Sequence, residues 1–143
     1  MTTIATILKH KGHEVISVSP ELTVSDVIHT LSERRIGAVL LQDGPKIGIV
    51  SERDIIHAFS AHGAATLQMK AREIMTRNVQ TATPETSIRK AMEMMTEGRF
   101  RHIPVLDHGK LVGLVSIGDV VKARIMEQES EVDSLKAYVV GAA

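Results

Sequence analysis

Val24, Val27, Ile28 and Leu31 fall at i, i+3, i+4 and i+7, which is one face of an amphipathic helix. Thr23 stands where its N-cap belongs, and Gly37 where the helix is expected to end. Ahead of it, Val15-Ile16-Ser17-Val18 predicts a short strand, broken by Ser19-Pro20-Glu21. After it, Ala38-Val39-Leu40-Leu41 is apolar throughout, the pattern of a buried strand. Asp43-Gly44-Pro45 predicts a turn, and Lys46 to Val50 the returning strand of a hairpin. Ser51 then starts a helix expected to turn Ile55, Ile56 and Phe59 inward. The whole series is preceded by a short apolar segment, Ile4 to Leu8, and by the polar Lys9-His10-Lys11-Gly12-His13.

The same series returns further along the chain. Ser19-Pro20-Glu21 matches Thr83-Pro84-Glu85 at an offset of 64, and Val15, Arg35 and Asp43 fall on Val79, Arg99 and Asp107. One residue is gained after that, so Gly48, Ser51 and Asp54 fall on Gly113, Ser116 and Asp119 at an offset of 65. Val79 to Ala82 predicts the first strand of the second copy, and Ile88, Ala91, Met92 and Met95 its helix face. His102 to Leu106 predicts the buried strand, in which Pro104 implies an end or edge without a ladder partner. Leu111 to Val115 predicts the returning strand.

The fold class is therefore α/β (α+β), with two β-α-β-β-α repeats. Residues 1–62 make the first repeat, 63–67 a linker, 68–126 the second repeat and 127–143 a helical tail. A unit of about sixty residues buries too little surface to be robust alone. The two are expected to pack against each other about a pseudo-twofold axis. In the tail, Leu135, Tyr138 and Val139 offer a docking face, against another copy of the chain.

The candidate chemistry sits at the end of each repeat, in Gly48-Ile49-Val50-Ser51-Glu52-Arg53-Asp54 and Gly113-Leu114-Val115-Ser116-Ile117-Gly118-Asp119. A strand that ends in Ser-x-x-Asp and passes into a helix presents unpaired N–H groups and the positive end of the helix dipole, which suit a phosphate. The aspartate can accept two hydrogen bonds from a ribose diol. The same pattern is also a capping box, in which hydroxyl and acid satisfy the first N–H groups. Thr23-x-x-Asp26 and Ser130-x-x-Asp133 match it too. The two roles are compatible, because one carboxylate has several acceptor sites.

Composition narrows the function further. The 143 residues carry a formal net charge of +0, so nothing global points to nucleic acid or anionic membranes. Aromatic residues are 2% of the chain, too few for base stacking as a main mode of binding. The absence of cysteine removes thiolate nucleophiles and cysteine-ligated zinc, and suits a cytoplasmic protein. No apolar run approaches the ~20 residues that span a bilayer, and the first residues lack a signal-peptide layout. There is no Gly-x-Ser-x-Gly elbow, Walker-type loop or Rossmann fingerprint. The seven histidines are scattered, without a His-Glu-x-x-His pair. The expectation is a protein that is not an enzyme and holds no metal.

Taken together, the β-α-β-β-α order, the Ser/Thr-x-Pro before the first helix, Arg101-His102-Ile103-Pro104-Val105-Leu106-Asp107 and the repeated Gly-h-h-Ser-x-x-Asp resemble a tandem pair of CBS domains, or Bateman module. The resemblance covers about residues 4–126. It implies a regulatory sensor that binds AMP, ADP, ATP, NAD(H) or S-adenosylmethionine in clefts between the repeats, AMP foremost. Carried over by residue, one cleft joins Ser51, Arg53 and Asp54 to Thr81, Phe100, Arg101 and His102. The other joins Ser116 and Asp119 to Ser17, Ile36 and Gly37. The aspartates would hold the ribose, the serines meet phosphate, and the strand residues read adenine. Arg53, Arg101 and His102 make the first cleft the more cationic, since Gly118 and Gly37 replace the two arginines in the second. A phosphate-bearing nucleotide is therefore expected to favour the first. The resemblance also implies a homodimer and a downstream protein target, while charge, aromatic content and the lack of a long apolar run point to no nucleic acid and no membrane as partners. The competing reading is a ligand-free dimerisation module, with Phe100 and His102 as packing residues and the arginines on solvated faces.

Overall fold

The computed structural model describes residues 2–142. The chain forms two compact units. One holds residues 15–80; the other holds residues up to 14 together with those from 81 onward. Each unit is a repeat completed by the segment that precedes the other repeat.

The first unit begins with β1 (Ser17–Val18), α2 (Val24–Arg34), β2 (Ala38–Asp43), β3 (Lys46–Ser51) and α3 (Glu52–His62). Its sheet has the order β1-β2-β3, parallel then antiparallel. Thr23 caps α2 by accepting the Asp26 N–H, as the sequence predicts. The helix stops three residues before Gly37: Arg35 takes the left-handed conformation (φ 54°) and closes it. Val24, Val27 and Leu31 face a core with Val39, Leu41, Val50 and Ile55. Of the three residues expected inward on α3, only Ile55 is buried; Ile56 is 68% exposed and Phe59 36%. The helical period pairs Ile55 with Ala58 on the core face instead. The segment Gly63–Gln68 is a 3₁₀ helix, in which the buried Thr66 donates its hydroxyl to Ala58 O at 3.1 Å. The short α4 (Ala71–Ile74) follows and packs into this same unit.

The second unit holds α1 (Ile4–Lys11), α5 (Ile88–Gly98), β4 (His102–Asp107), β5 (Lys110–Ser116) and α6 (Ile117–Ala142). Val79 to Ala82 does not form the predicted strand; only Ala82 makes a bridge, to Val105. Proline explains the difference. In the first unit, Leu40 N–H donates to Ile16 O at 3.0 Å and secures β1. The matching residue is Pro104, which has no N–H to give. The core here joins Ile4, Ile7 and Leu8 of α1 to Ile88, Ala91, Met95, Ile103, Val105, Val115 and Val120.

The two exchanged segments dock alike. Ile4 and Ala5 N–H donate to Thr86 O and Pro84 O, both at 2.9 Å, and Ile88 N–H donates to Thr2 O at 3.1 Å. In the other unit Ala71 and Arg72 N–H donate to Leu22 O and Pro20 O at 2.7 and 2.9 Å, and Val24 N–H to Met69 O at 2.8 Å. Glu21 adds ion pairs to Lys70 (2.8 Å) and Arg72 (2.5 Å). The glycines that open the two Gly-h-h-Ser-x-x-Asp motifs make room for this docking. A Cβ on Gly48 would stand 2.5 Å from Met75 Sδ, and one on Gly113 the same distance from Leu8 Cδ2. Among the described residues, no helix is long and apolar enough to cross a membrane.

Leu8 is 2% exposed. Leu8→Ala is therefore expected to lower the unfolding free energy by about 2–5 kcal/mol, the range for deleting a buried leucine side chain. Urea denaturation followed by circular dichroism checks it; an unchanged midpoint would contradict the place of α1 in this core.

Candidate functional site

The hairpin registers set the two serines. Ala38 pairs with Ser51 and His102 with Ser116, so each serine ends its returning strand beside the first residue of the preceding one. The helix then starts against that residue's neighbour: Glu52 N–H donates to Gly37 O (3.1 Å), and Ile117 N–H to Arg101 O (2.8 Å).

Both Ser-x-x-Asp motifs are formed capping boxes. Asp54 Oδ2 accepts the Ser51 N–H at 2.8 Å, and Ser51 Oγ accepts the Asp54 N–H at 3.4 Å. Asp119 Oδ2 accepts the Ser116 N–H at 2.9 Å, and Ser116 Oγ accepts the Asp119 N–H at 3.2 Å. The further partners separate the two. Asp54 Oδ1 accepts the Thr76 hydroxyl at 3.0 Å, a neutral donor. Asp119 Oδ2 accepts Lys11 Nζ at 2.7 Å, an ion pair. Burial by itself raises the pKa of Asp119, but the Lys11 ammonium and the Ser116 N–H outweigh it and leave the carboxyl below its ordinary value.

Lys11 and Thr76 belong to the exchanged segments, and each also closes a sheet edge. Thr76 exchanges backbone hydrogen bonds with Ile49 on β3, at 2.8 and 3.1 Å. Lys11 Nζ reaches Leu114 O on β5 at 2.9 Å, at the position matching Ile49. Asp119 and Lys11 further line a cavity of about 460 Å³ between α1 and α6, with His10, Lys122 and Met126.

The candidate residues divide between the units. Ser17, Ile36, Gly37, Ser51, Arg53 and Asp54 lie in the first, where Ile36, Gly37, Ser51 and Asp54 are half-buried and Ser17 and Arg53 exposed. Thr81, Phe100, Arg101, His102, Ser116 and Asp119 lie in the second, with Thr81 and Arg101 exposed. Phe100 packs against that unit's core and over Gly98. Within a unit, the structure brings Gly37 to Ser51, and Arg101 and His102 to Ser116. Sequence reasoning missed Lys11 and Thr76. The signal was a weak one: Ile4-x-x-Ile7-Leu8 and Ala71-x-x-Ile74-Met75 share an apolar spacing but no identical residue among those on the core side except isoleucine.

The CBS domain family matches residues 8–61 and again 71–126. The chain belongs to the CBS-domain family. It is 35% identical over 150 residues to the CBS domain-containing protein CBSX3, mitochondrial, of Arabidopsis thaliana, across 98% of this chain and 73% of that one. The crystal structure of the CBS-domain containing protein ATU1752 from Agrobacterium tumefaciens superposes with a TM-score of 0.83 at 42% identity, covering 86% of this chain and 99% of that one. CBSX2, solved in complex with AMP, shares the fold at a TM-score of 0.69 and 22% identity, with 88% and 98% of the two chains covered. Paired CBS domains form a regulatory module, and both repeats of the pair are present here.

The depressed pKa of Asp119 makes this CBS pair sensitive to acid. Its folded-state value lies below that of the unfolded chain, which is about 4. The Lys11–Asp119 bond thus contributes stability fully above about pH 4, and loses it as the pH falls through the folded value. In a carbon-detected NMR titration, Asp119 is expected to titrate below an ordinary aspartate and to move up in Lys11→Met. A midpoint untouched by Lys11→Met would contradict the assigned cause.

Proposed function

We propose that this CBS pair is a regulatory sensor of adenine nucleotides, AMP foremost, with the Ser51–Asp54 helix start as the tighter anchor. The observation that carries the reading is the contrast between its two aspartates. Asp54 accepts the neutral Thr76 hydroxyl and the Ser51 donors. A ribose diol can replace the Thr76 hydroxyl there as one neutral donor for another. Asp119 is tied to the Lys11 ammonium, so a diol has to displace a charge-assisted bond, the stronger kind. The AMP complex of CBSX2, a protein of the same fold, supports an adenosyl ligand. Thr81, Phe100, Arg101 and His102 are proposed to contribute to adenylate recognition, as the family resemblance implies. ATP, NAD(H) and S-adenosylmethionine are the alternative ligands.

On this reading the chain catalyses nothing itself. Signalling requires that the nucleotide bind two conformations with different affinity, so that its presence shifts their populations. A downstream protein then reads the change in repeat or dimer geometry. A second reading, a ligand-free dimerisation module, is favoured by the fact that both aspartates already have partners within the protein.

Calorimetric titration of the nucleotide-stripped protein with AMP, ATP, NADH and S-adenosylmethionine separates the two. Removing a hydrogen bond to a charged group costs about 1.5–3 kcal/mol, so Asp54→Ala and Asp54→Asn are expected to weaken AMP binding about 10- to 100-fold. Asp119→Ala is expected to keep most of it. No heat from any ligand, with the protein folded, would leave the ligand-free module.

A further inference from the structure

The long helix α6 runs on past the core of its unit, and five of its exposed apolar residues share one face, while Ile117, Met126, Tyr138 and Val140 lie off it. Val121, Ile125, Val132, Leu135 and Val139 are 45, 50, 50, 63 and 60% exposed. With Gln128 they fall at alternating steps of four and three, the seam of a heptad repeat. At 3.6 residues per turn this seam lies on the opposite side of α6 from Asp119, Ala123, Met126 and Ser130, which face α1 across the cavity. The unit's core takes Val120 and Ala123 from α6 and none of the seam residues.

The composition of the seam specifies its occupant. Ile125, Val132 and Val139 stand at a, all β-branched, and Leu135 stands at d, the combination that favours two parallel strands. In a parallel pair in register, each g position faces the e position five residues later on the other helix. Here that sets Arg124 opposite the partner's Glu129, and Glu131 opposite the partner's Lys136. Both pairs are of opposite charge. Gln128, the polar residue of the seam, would meet the partner's Gln128, and two amides can hydrogen-bond to each other. Any shift of register sets that amide against an aliphatic residue instead.

We propose that α6, from Val121 onward, pairs with the same helix of a second copy as a parallel, in-register, two-stranded coiled coil. The pairing does not depend on the nucleotide reading. It joins two copies through their tails and leaves the Ser51 and Ser116 helix starts outside the seam.

The chain has no cysteine, so a single introduced one reports directly. In the full chain, Leu135→Cys places two thiols across the seam, whereas Ala137→Cys places them on its outer side. Under mild oxidation Leu135→Cys is expected to run almost wholly as a disulfide-linked dimer on a non-reducing gel, and Ala137→Cys to stay mostly uncrosslinked. Equal cross-linking of the two would overturn the parallel register. By sedimentation, Val132→Glu with Leu135→Glu is expected to halve the native mass while circular dichroism still reports folded units; an unchanged mass would overturn the seam. Glu131→Lys should weaken the pairing about tenfold and Glu131→Lys with Lys136→Glu restore it. Failure of the double exchange to restore it would overturn the facing of g and e.

Discussion

Each hairpin has an outer strand edge and a carboxylate that its own repeat does not complete. Thr76 closes both on β3, through backbone bonds to Ile49 and its hydroxyl on Asp54. Lys11 closes both on β5, with one ammonium shared between Leu114 O and Asp119. Each closing residue comes from the segment ahead of the other repeat. The exchange gives the architecture its main constraint. A chain cut within residues 63–67 would give a first repeat that carries α1 but lacks α4, and a second in the opposite condition. Each half would expose an apolar face and an open strand edge, which is a liability for aggregation. Each contact unit thus combines one repeat with the segment ahead of the other, so neither repeat is complete alone.

The same exchange makes two nearly identical motifs chemically different. The strand end, the serine cap and the aspartate are alike in both, down to the pairing of the serine N–H with the acid. The charge of the closing residue is not. At Asp54 the closing group is a neutral hydroxyl, that of Thr76. An ammonium holds Asp119 in an ion pair and depresses its pKa. A repeat protein can in this way keep one fold in both halves while giving the two aspartates different partners, through a residue 22 positions away in one case and 108 in the other.

Much of this was legible in the sequence because the repeat is strong where the hairpin and its helix lie. The offsets of Gly48, Ser51 and Asp54 from Gly113, Ser116 and Asp119 marked both strand ends and both caps. Pro104 signalled that the second repeat would lose a ladder bond, and Ala82 retains only a bridge. The helix end at Arg35 was not legible, since a left-handed arginine leaves no mark in composition, whereas Gly37 two residues later invites the wrong stop. The inward set on α3 was misjudged because Ile56 and Phe59 are apolar but lie one step round the helix from the core face. The partners Lys11 and Thr76 were hidden for a different reason. A repeat pattern shows which residues correspond, not which copy they dock against.

The most direct test of unequal nucleotide anchors is a backbone amide NMR titration with AMP. If Asp54 is the tighter anchor, the amides of Glu52, Arg53 and Asp54 shift and saturate first, and those of Ile117, Gly118 and Asp119 follow only at higher AMP. Saturation first at residues 117–119, or no shift at either helix start, would contradict the account.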